Sequence, residues 1–219
     1  MNILAIGANP GEIEFSCFGT LALCREKGDK VVICSMTNGL KTKDDENLRL
    51  IKMVEGSRAA KIIGASYSTF DINQDEFLNF DKEHLDKLIN LILATKADVV
   101  ISLDPEKPNR SQHLTASLVK EAIERVKVDE DRLVELLFGE AVDTKSFNPT
   151  LFVDVSSVFN QKIEAVTTFV SQIQFLHKSD KLNLLHNVEV IASYRGLQCA
   201  SRYAEAFRVD GNKALKGLF

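Results

Sequence analysis

Two short stretches of this chain carry side chains able to do chemistry together. The first is Ala8-Asn9-Pro10-Gly11-Glu12-Ile13-Glu14, directly after an apolar run that ends near Ile6. The second runs from Leu103 to Arg110, contains Asp104, and is followed by His113. A catalytic zinc takes three His or carboxylate ligands and keeps one position for water. Glu12 and His113 are competent donors of that kind. Asn9 offers only a neutral amide oxygen, which suits hard cations better. These three are the candidate metal ligands if a metal binds. Without a metal, Glu12 is free to act as a base. Arg110 carries a permanent charge that stabilises a developing oxyanion but does not usefully give up a proton. Glu12 and Arg110 are therefore the candidate catalytic pair, and Asn9, Asp104 and Arg195 the candidate ligand-binding groups. Gly11, between two of these residues, supplies no acid or base.

Such residues need a scaffold that brings both stretches to one edge. Ile3–Ile6, Val31–Cys34, Tyr67–Ile72 and Asp98–Ser102 read as strands. Between them lie helices over Phe15–Glu26, Glu46–Ile63 and Lys82–Leu93, the first two stopped by Gly28 and Gly64. Strands alternating with helices predict a Rossmann-like, mostly parallel sheet with helices on both faces, an α/β fold of three layers. If the first and fourth strands are neighbours, both candidate loops leave the carboxyl edge, where open α/β sheets bind ligands. Thr37-Asn38-Gly39 is a turn signal. Ser111 is a plausible N-cap for a helix to Val126 with a buried stripe of Leu114, Leu118, Val119, Ala122 and Val126. His113 lies roughly opposite that stripe, a position that suits a group facing a cleft. Arg132–Glu140 and Leu151–Val155 read as strands, and Phe159–Phe175 and Val188–Arg202 as helices, a C-terminal strand and helix extension. No repeat or linker divides the chain, so residues 1–219 are expected to form a single domain.

Composition narrows the function. A net charge of −4 gives no reason to expect nucleic acid or an anionic membrane as partner. No apolar run approaches bilayer-spanning length, and the first residues lack the charged and apolar regions of a signal peptide. Cys17, Cys24, Cys34 and Cys199 form no CxxC pair, which fits buried thiols in a reducing cytoplasm. The first loop is neither a dinucleotide fingerprint nor a P-loop, and Pro10 removes an amide that a diphosphate would need.

The chain resembles the LmbE/PIG-L family, zinc-dependent deacetylases of N-acetylglucosamine-type substrates. That family opens on Ala-His-Pro-Asp-Asp-Glu-Glu followed by Gly-Thr-Leu-Ala. This chain has Ala8 to Glu14, then Gly19-Thr20-Leu21-Ala22. The Leu-Thr-Asn-Gly landmark is similar to Met36-Thr37-Asn38-Gly39, and Glu55 to Gly64 resembles the end of the second βα unit. The His-Pro-Asp-His segment aligns with Arg110-Ser111-Gln112-His113. Val153-Asp154-Val155, Ser171-Gln172, Arg195-Gly196 and Tyr203 to Phe207 also look like family sequence.

The resemblance implies roles position by position. Asn9 stands where the family has its first histidine ligand, Gly11 where it has the general base, and Glu12 where it has an aspartate ligand. Arg110 stands at the histidine that assists the oxyanion or the leaving amine, and His113 at the last histidine ligand. Glu14 matches a glutamate that the family already has. The implied ligand is a small amino-sugar-like molecule, the implied cofactor none or a weakly bound divalent metal, zinc in the family, and the implied assembly a homo-oligomer. Three readings follow: a deacetylase fold with impaired or lost zinc chemistry, a working N-deacetylase with altered ligands or metal, and a non-catalytic subunit paired with an active paralogue. The bland alternatives are solvated carboxylates at Asp104 and Glu106, ordinary histidines at His84, His177 and His186, and packing roles for Asp154, Arg195, Arg202 and Tyr203.

Overall fold

The computed structural model describes residues 1–41, 45–78, 82–106, 109–144, 146–179 and 183–210. Among these, seven strands form one sheet in the order β3-β2-β1-β4-β5-β7-β6. The strands are β1 (Asn2–Gly7), β2 (Lys30–Thr37), β3 (Ser66–Ile72), β4 (Val99–Leu103), β5 (Glu135–Gly139), β6 (Leu151–Asp154) and β7 (Ala204–Val209). The first five pair in parallel; β7 runs antiparallel to β5 and β6. The eight described helices are α1 (Glu12–Glu26), α2 (Glu46–Ile62), α3 (Gln74–Phe77), α4 (Lys82–Thr95), α5 (Arg110–Glu130), α6 (Phe159–Thr168), α7 (Val170–Ser179) and α8 (Leu184–Gln198).

Alternate residues of the central strands feed two separate apolar cores. Ile3, Ala5, Val31, Ile33, Val99 and Ile101 pack with α1, α2, α6 and α8, whereas Leu4, Ile6, Cys34, Met36 and Val100 pack with α4 and α5. Strands buried on both faces read as continuous apolar runs, which is why they are recognisable without alternation. The expected three-layer, Rossmann-like fold is the one observed.

The differences are local. Phe159–Phe175 is two helices, broken at Phe169, whose ring is buried in the core with non-helical φ −86° and ψ 58°. The expected helix Val188–Arg202 starts earlier and stops at Gln198, and the segment after it is strand β7. Gly196 fixes that exit, because a β-carbon there would lie 2.7 Å from the carbonyls of Ser201 and Arg202. Asn109, not Ser111, caps α5, accepting from the amides of Ser111 and Gln112 at 3.0 and 3.4 Å.

The family landmarks turn out to be partners of one another. Glu205 on β7 accepts from the amides of Gly19 and Thr20 at 2.8 and 2.7 Å, from the Thr20 hydroxyl, and from Lys162 Nζ at 2.6 Å. Glu55 on α2 accepts from the amide and hydroxyl of Ser171 at 2.8 and 2.6 Å. These buried ties fix α1 and α2 against the C-terminal elements, and so fix the walls of the cleft described next.

Candidate functional site

Parallel register sets the geometry. β1 lies between β2 and β4, with Gly7 opposite Ser35 and Ile6 opposite Ser102. The chain leaving β1 therefore meets the ends of both neighbours, and the Thr37 amide donates to the Ala8 carbonyl at 2.9 Å. Gly11 turns the loop into α1 with φ +95°, and Glu12 begins the helix.

Glu12 is the centre of the site. Its Oε2 accepts from the amides of Ala8 and Asn9 at 2.8 and 3.1 Å. Its Oε1 accepts from Asn9 Nδ2 at 2.7 Å and Gln112 Nε2 at 3.0 Å. Two of these donors are backbone N–H groups, so Glu12 must be an acceptor, and the Asn9 and Gln112 amides turn their NH₂ groups to it. Asn9 Oδ1 is then left to accept from the Thr37 hydroxyl at 2.8 Å and Gln74 Nε2 at 2.7 Å. Burial pushes the Glu12 carboxyl above its ordinary value, with the hydrogen bonds from Asn9, Gln112 and Ala8 pulling back.

Around this cluster opens a cleft of about 630 Å³. Its floor holds Asn9, Glu12, Asn109 and Gln112; Phe15 and Leu103 give it apolar surface, and Lys52 lies on its α2 side. The size falls in the usual range for small-molecule sites, and apolar walls with a few convergent polar groups are their usual composition.

Not every candidate from the sequence reaches this cleft. His113 is exposed, on the solvent stripe of α5 with Ser117 and Lys120, and its Nδ1 lies 2.9 Å from the Pro105 carbonyl. Of the expected stripe of α5, Leu118, Val119, Ala122 and Val126 are buried and Leu114 is half-buried, and Gln112, Thr115 and Ala116 are buried beside them. A residue opposite that buried face faces water, and the one reaching the cleft sits on it. The α5 turn at the site is thus Asn109 to Gln112, one residue before the Arg110–His113 register. Arg110 is exposed at the start of α5. Asp104 is buried, but its Oδ1 accepts from the Glu106 amide at 2.9 Å and Arg208 Nη2 at 3.1 Å, a structural tie between β4 and β7. Arg195 is buried in a bidentate pair with Glu140 at 2.7 and 2.6 Å, away from the cleft.

Asn9 and Glu12 are the predicted residues that the fold brings together. Thr37, Gln74, Asn109 and Gln112 complete the cluster. Gln74 follows β3 at the same carboxyl edge, and Gln112 lies three and four residues before Thr115 and Ala116, so position and helical spacing both point to them.

Zinc does not suit the arrangement. Asn9 and Gln112 present N–H groups rather than lone pairs to the centre, and both Glu12 oxygens are already engaged by donors. Among the described residues no three His, Cys, Asp or Glu side chains converge on one point. Gly11, the position where the family resemblance implies the general base, also has little room for a side chain. A β-carbon on Gly11 would lie 2.5 Å from Phe15 Cζ.

Glu14, two residues after Glu12, is 1% exposed, and its Oε1 has no partner among the described residues. Burial raises its carboxyl to about 7, with the amides of Glu14 and Gly11 offsetting part of the effect. A carboxyl raised on folding holds its proton longer in the native state, so stability is full below the ordinary value of 4.5 and declines as pH climbs towards 7. We expect denaturant titrations to lose about 2–3 kcal/mol between pH 4.5 and 7.5 from this group, and Glu14→Gln to remove most of that slope.

Comparison with known proteins places this cleft in a lineage. Diacetylchitobiose deacetylase of Thermococcus kodakarensis is 26% identical over 223 residues, covering 94% of this chain and 82% of the relative. The fold is shared with GalB, the 4-carboxy-2-hydroxymuconate hydratase of Pseudomonas putida KT2440, at TM-score 0.83 and 20% identity over 100% of both chains. It is also shared with N,N'-diacetylchitobiose deacetylase of Pyrococcus horikoshii, at TM-score 0.77 and 19% identity over 99% of this chain and 88% of the other. Residues 4–123, more than half of the chain and including the whole Asn9–Glu12–Gln112 cluster, match the PIG-L family, the GlcNAc-PI de-N-acetylases, and the chain belongs to that family.

Proposed function

We propose that this protein keeps the family's cleft for an amino-sugar-like small molecule but has lost, or retains only weakly, zinc-dependent deacetylation. One observation carries this reading: Glu12 is saturated by four neutral donors, two of them from the amides of Asn9 and Gln112. Amide hydrolysis of the family's kind needs a Lewis acid on the carbonyl and a base on the water, and the base alone contributes ~10²–10⁴ in rate. Gly11 offers no base, and Glu12 has no free lone pair directed at a water.

What these residues do suit is recognition. Gln112 lines the cleft with its Oε1 unpartnered among the described residues, an acceptor for a hydroxyl or N–H group of a ligand. A working N-deacetylase built on Asn9, Glu12 and His113 is less well supported, because the His113 ring lies on the outer face of α5. We further propose that residues 1–219 act as one domain, in the cytoplasm and as a homo-oligomer, without nucleic-acid or membrane partners. Four free cysteines support a reducing compartment, and the exposed apolar stripe Val190, Tyr194 and Leu197 on α8 supports self-association. Among the described residues no helix is long and apolar enough to cross a membrane.

The test is direct. The purified full chain, supplied with zinc, is expected to release no acetate from N-acetylglucosamine or diacetylchitobiose above the protein-free rate, while still binding at least one of them. Acetate release that Glu12→Gln abolishes would overturn the proposal.

A further inference from the structure

The floor of the cleft carries a negative charge that nothing among the described residues balances. Glu12 accepts two hydrogen bonds from backbone amides and two from the side-chain amides of Asn9 and Gln112, and all four donors are neutral. Among the described residues no Lys, Arg or His forms an ion pair with it. Glu14, on which the Glu12 charge acts, is a second carboxyl rather than a cation. Other carboxylates of this fold are treated differently: Glu205 meets Lys162, Glu140 meets Arg195, and Asp104 meets Arg208. Lys52, on the α2 side of the cleft, is acted on by Glu55, and Lys41 and Asp143 line the cleft as well. The four donors fill the lone pairs of Glu12 but leave its net charge in place, and a partly dry carboxylate without a countercharge is costly.

An unmet acceptor lies beside this charge. Gln112 is 5% exposed, its Nε2 donates to Glu12, and its Oε1 is buried with no partner among the described residues. That oxygen can be satisfied only by an N–H or O–H group. It belongs to the same amide that touches Glu12, so a donor bound there lies one amide group away from the carboxylate. Both residues line the cleft. A hydroxyl or an N-acylated nitrogen would bring a donor and no charge. An ammonium brings both. The N–H groups that make the cluster unsuitable for zinc do not exclude it, because an ammonium needs an acceptor and a negative field rather than a ring of converging lone pairs.

We propose that the cleft takes a small molecule with a free primary ammonium, which donates to Gln112 Oε1 and balances the charge of Glu12, in preference to the N-acylated form of the same molecule. That the molecule is sugar-like rests on the reading above; the ammonium rests on Glu12 and Gln112 alone. A charge-assisted hydrogen bond in a partly dry cleft is roughly twice as strong as a neutral one, which gives the free amine its advantage.

Calorimetric titration of the full chain at pH 6.5 tests this with glucosamine, N-acetylglucosamine, glucose and ethanolamine. Glucosamine is expected to bind at least about tenfold more tightly than N-acetylglucosamine or glucose. At pH 9.5, where its amine is neutral, the advantage over glucose should vanish. Glu12→Gln removes the charge and Gln112→Met the acceptor, and each should cut the advantage at pH 6.5 by about tenfold. Should either variant fail to fold, the wild-type comparison of glucosamine with glucose at the two pH values decides alone. Glucosamine binding no more tightly than the neutral sugars, an advantage that persists at pH 9.5 or in a folded Glu12→Gln variant, or no binding of either amine at millimolar concentration would overturn the ammonium site. Binding of ethanolamine that Glu12→Gln abolishes, with no binding of any of the three sugars, would instead overturn the amino-sugar reading and leave the ammonium site standing.

Discussion

Gly11→Asp is expected to destabilise the protein by about 3–5 kcal/mol and to return no base to the cleft. Two independent effects add. Gly11 has φ +95°, where a side chain strains the backbone, by about 1–3 kcal/mol. Its β-carbon would also approach the Phe15 ring to 2.5 and 2.9 Å, well inside contact distance. Phe15 has little freedom to yield, because its ring packs edge-on against Phe169 at 5.3 Å and 83° in the core beneath. Gly11→Ala should therefore cost nearly as much as Gly11→Asp in urea denaturation, since both losses begin at the β-carbon. Phe15→Leu removes the ring atoms responsible, and in that background the Gly11→Asp penalty should shrink by about 1–2 kcal/mol. Restoring the family motif with Asn9→His, Gly11→Asp and Glu12→Asp, even with Gln112→His added, should then fail unless Phe15 is cut back as well. A fully stable Gly11→Asp variant would show that the loop relaxes easily and that Phe15 does not guard this position.

The contrast between what the sequence reveals and what it hides follows from the same geometry. The central strands are buried on both faces, so their apolar runs are plain, and the strand order follows from short right-handed crossovers. The separated landmarks mark the fold because they bind each other: Gly19 and Thr20 to Glu205, Glu55 to Ser171. Such pairs mark positions that packing requires, and they say nothing of chemistry. Asp104 and Arg195 mislead for this reason. Both are polar, and both are committed to ion pairs, with Arg208 and Glu140. The last element of the sheet is hidden because Tyr203 to Phe207 continues a helical-looking stretch, and only the close approach at Gly196 forces the chain to turn back as β7.

His113 misleads more seriously. A histidine after a proline-containing loop draws attention by residue type, whereas Gln112 does not. The rotation of α5 decides between them: the small or polar residues Thr115 and Ala116 are buried together with Gln112, and a stripe drawn through Leu114, Leu118, Val119, Ala122 and Val126 leaves them out. A cleft at the sheet edge is reached from the sheet-facing side of a helix, so burial periodicity outranks chemical suggestiveness in choosing the residue.

That choice gives the second large expectation. If Glu12 organises the cleft through hydrogen bonds, Glu12→Ala should cost about 3–5 kcal/mol, as for a buried charge network that loses its centre. Four donors, the amides of Ala8 and Asn9 and the side chains of Asn9 and Gln112, would lose their acceptor at once. Some of that loss is returned, since the burial that raises the Glu12 carboxyl no longer has to be met. Glu12→Gln keeps the volume and one oxygen but turns an NH₂ group toward other donors, so it should cost less than Glu12→Ala, about 2–3 kcal/mol. Chelators provide the opposing measurement. A cleft assembled around a bound ion would lose stability on metal removal in proportion to RT ln(1 + [L]/Kd), whereas a cleft assembled by Asn9, Glu12 and Gln112 should melt at the same temperature with and without EDTA. A fall in the wild-type melting temperature on chelation, together with an indifferent Glu12→Ala variant, would mean that an ion rather than this carboxylate holds the two loops together.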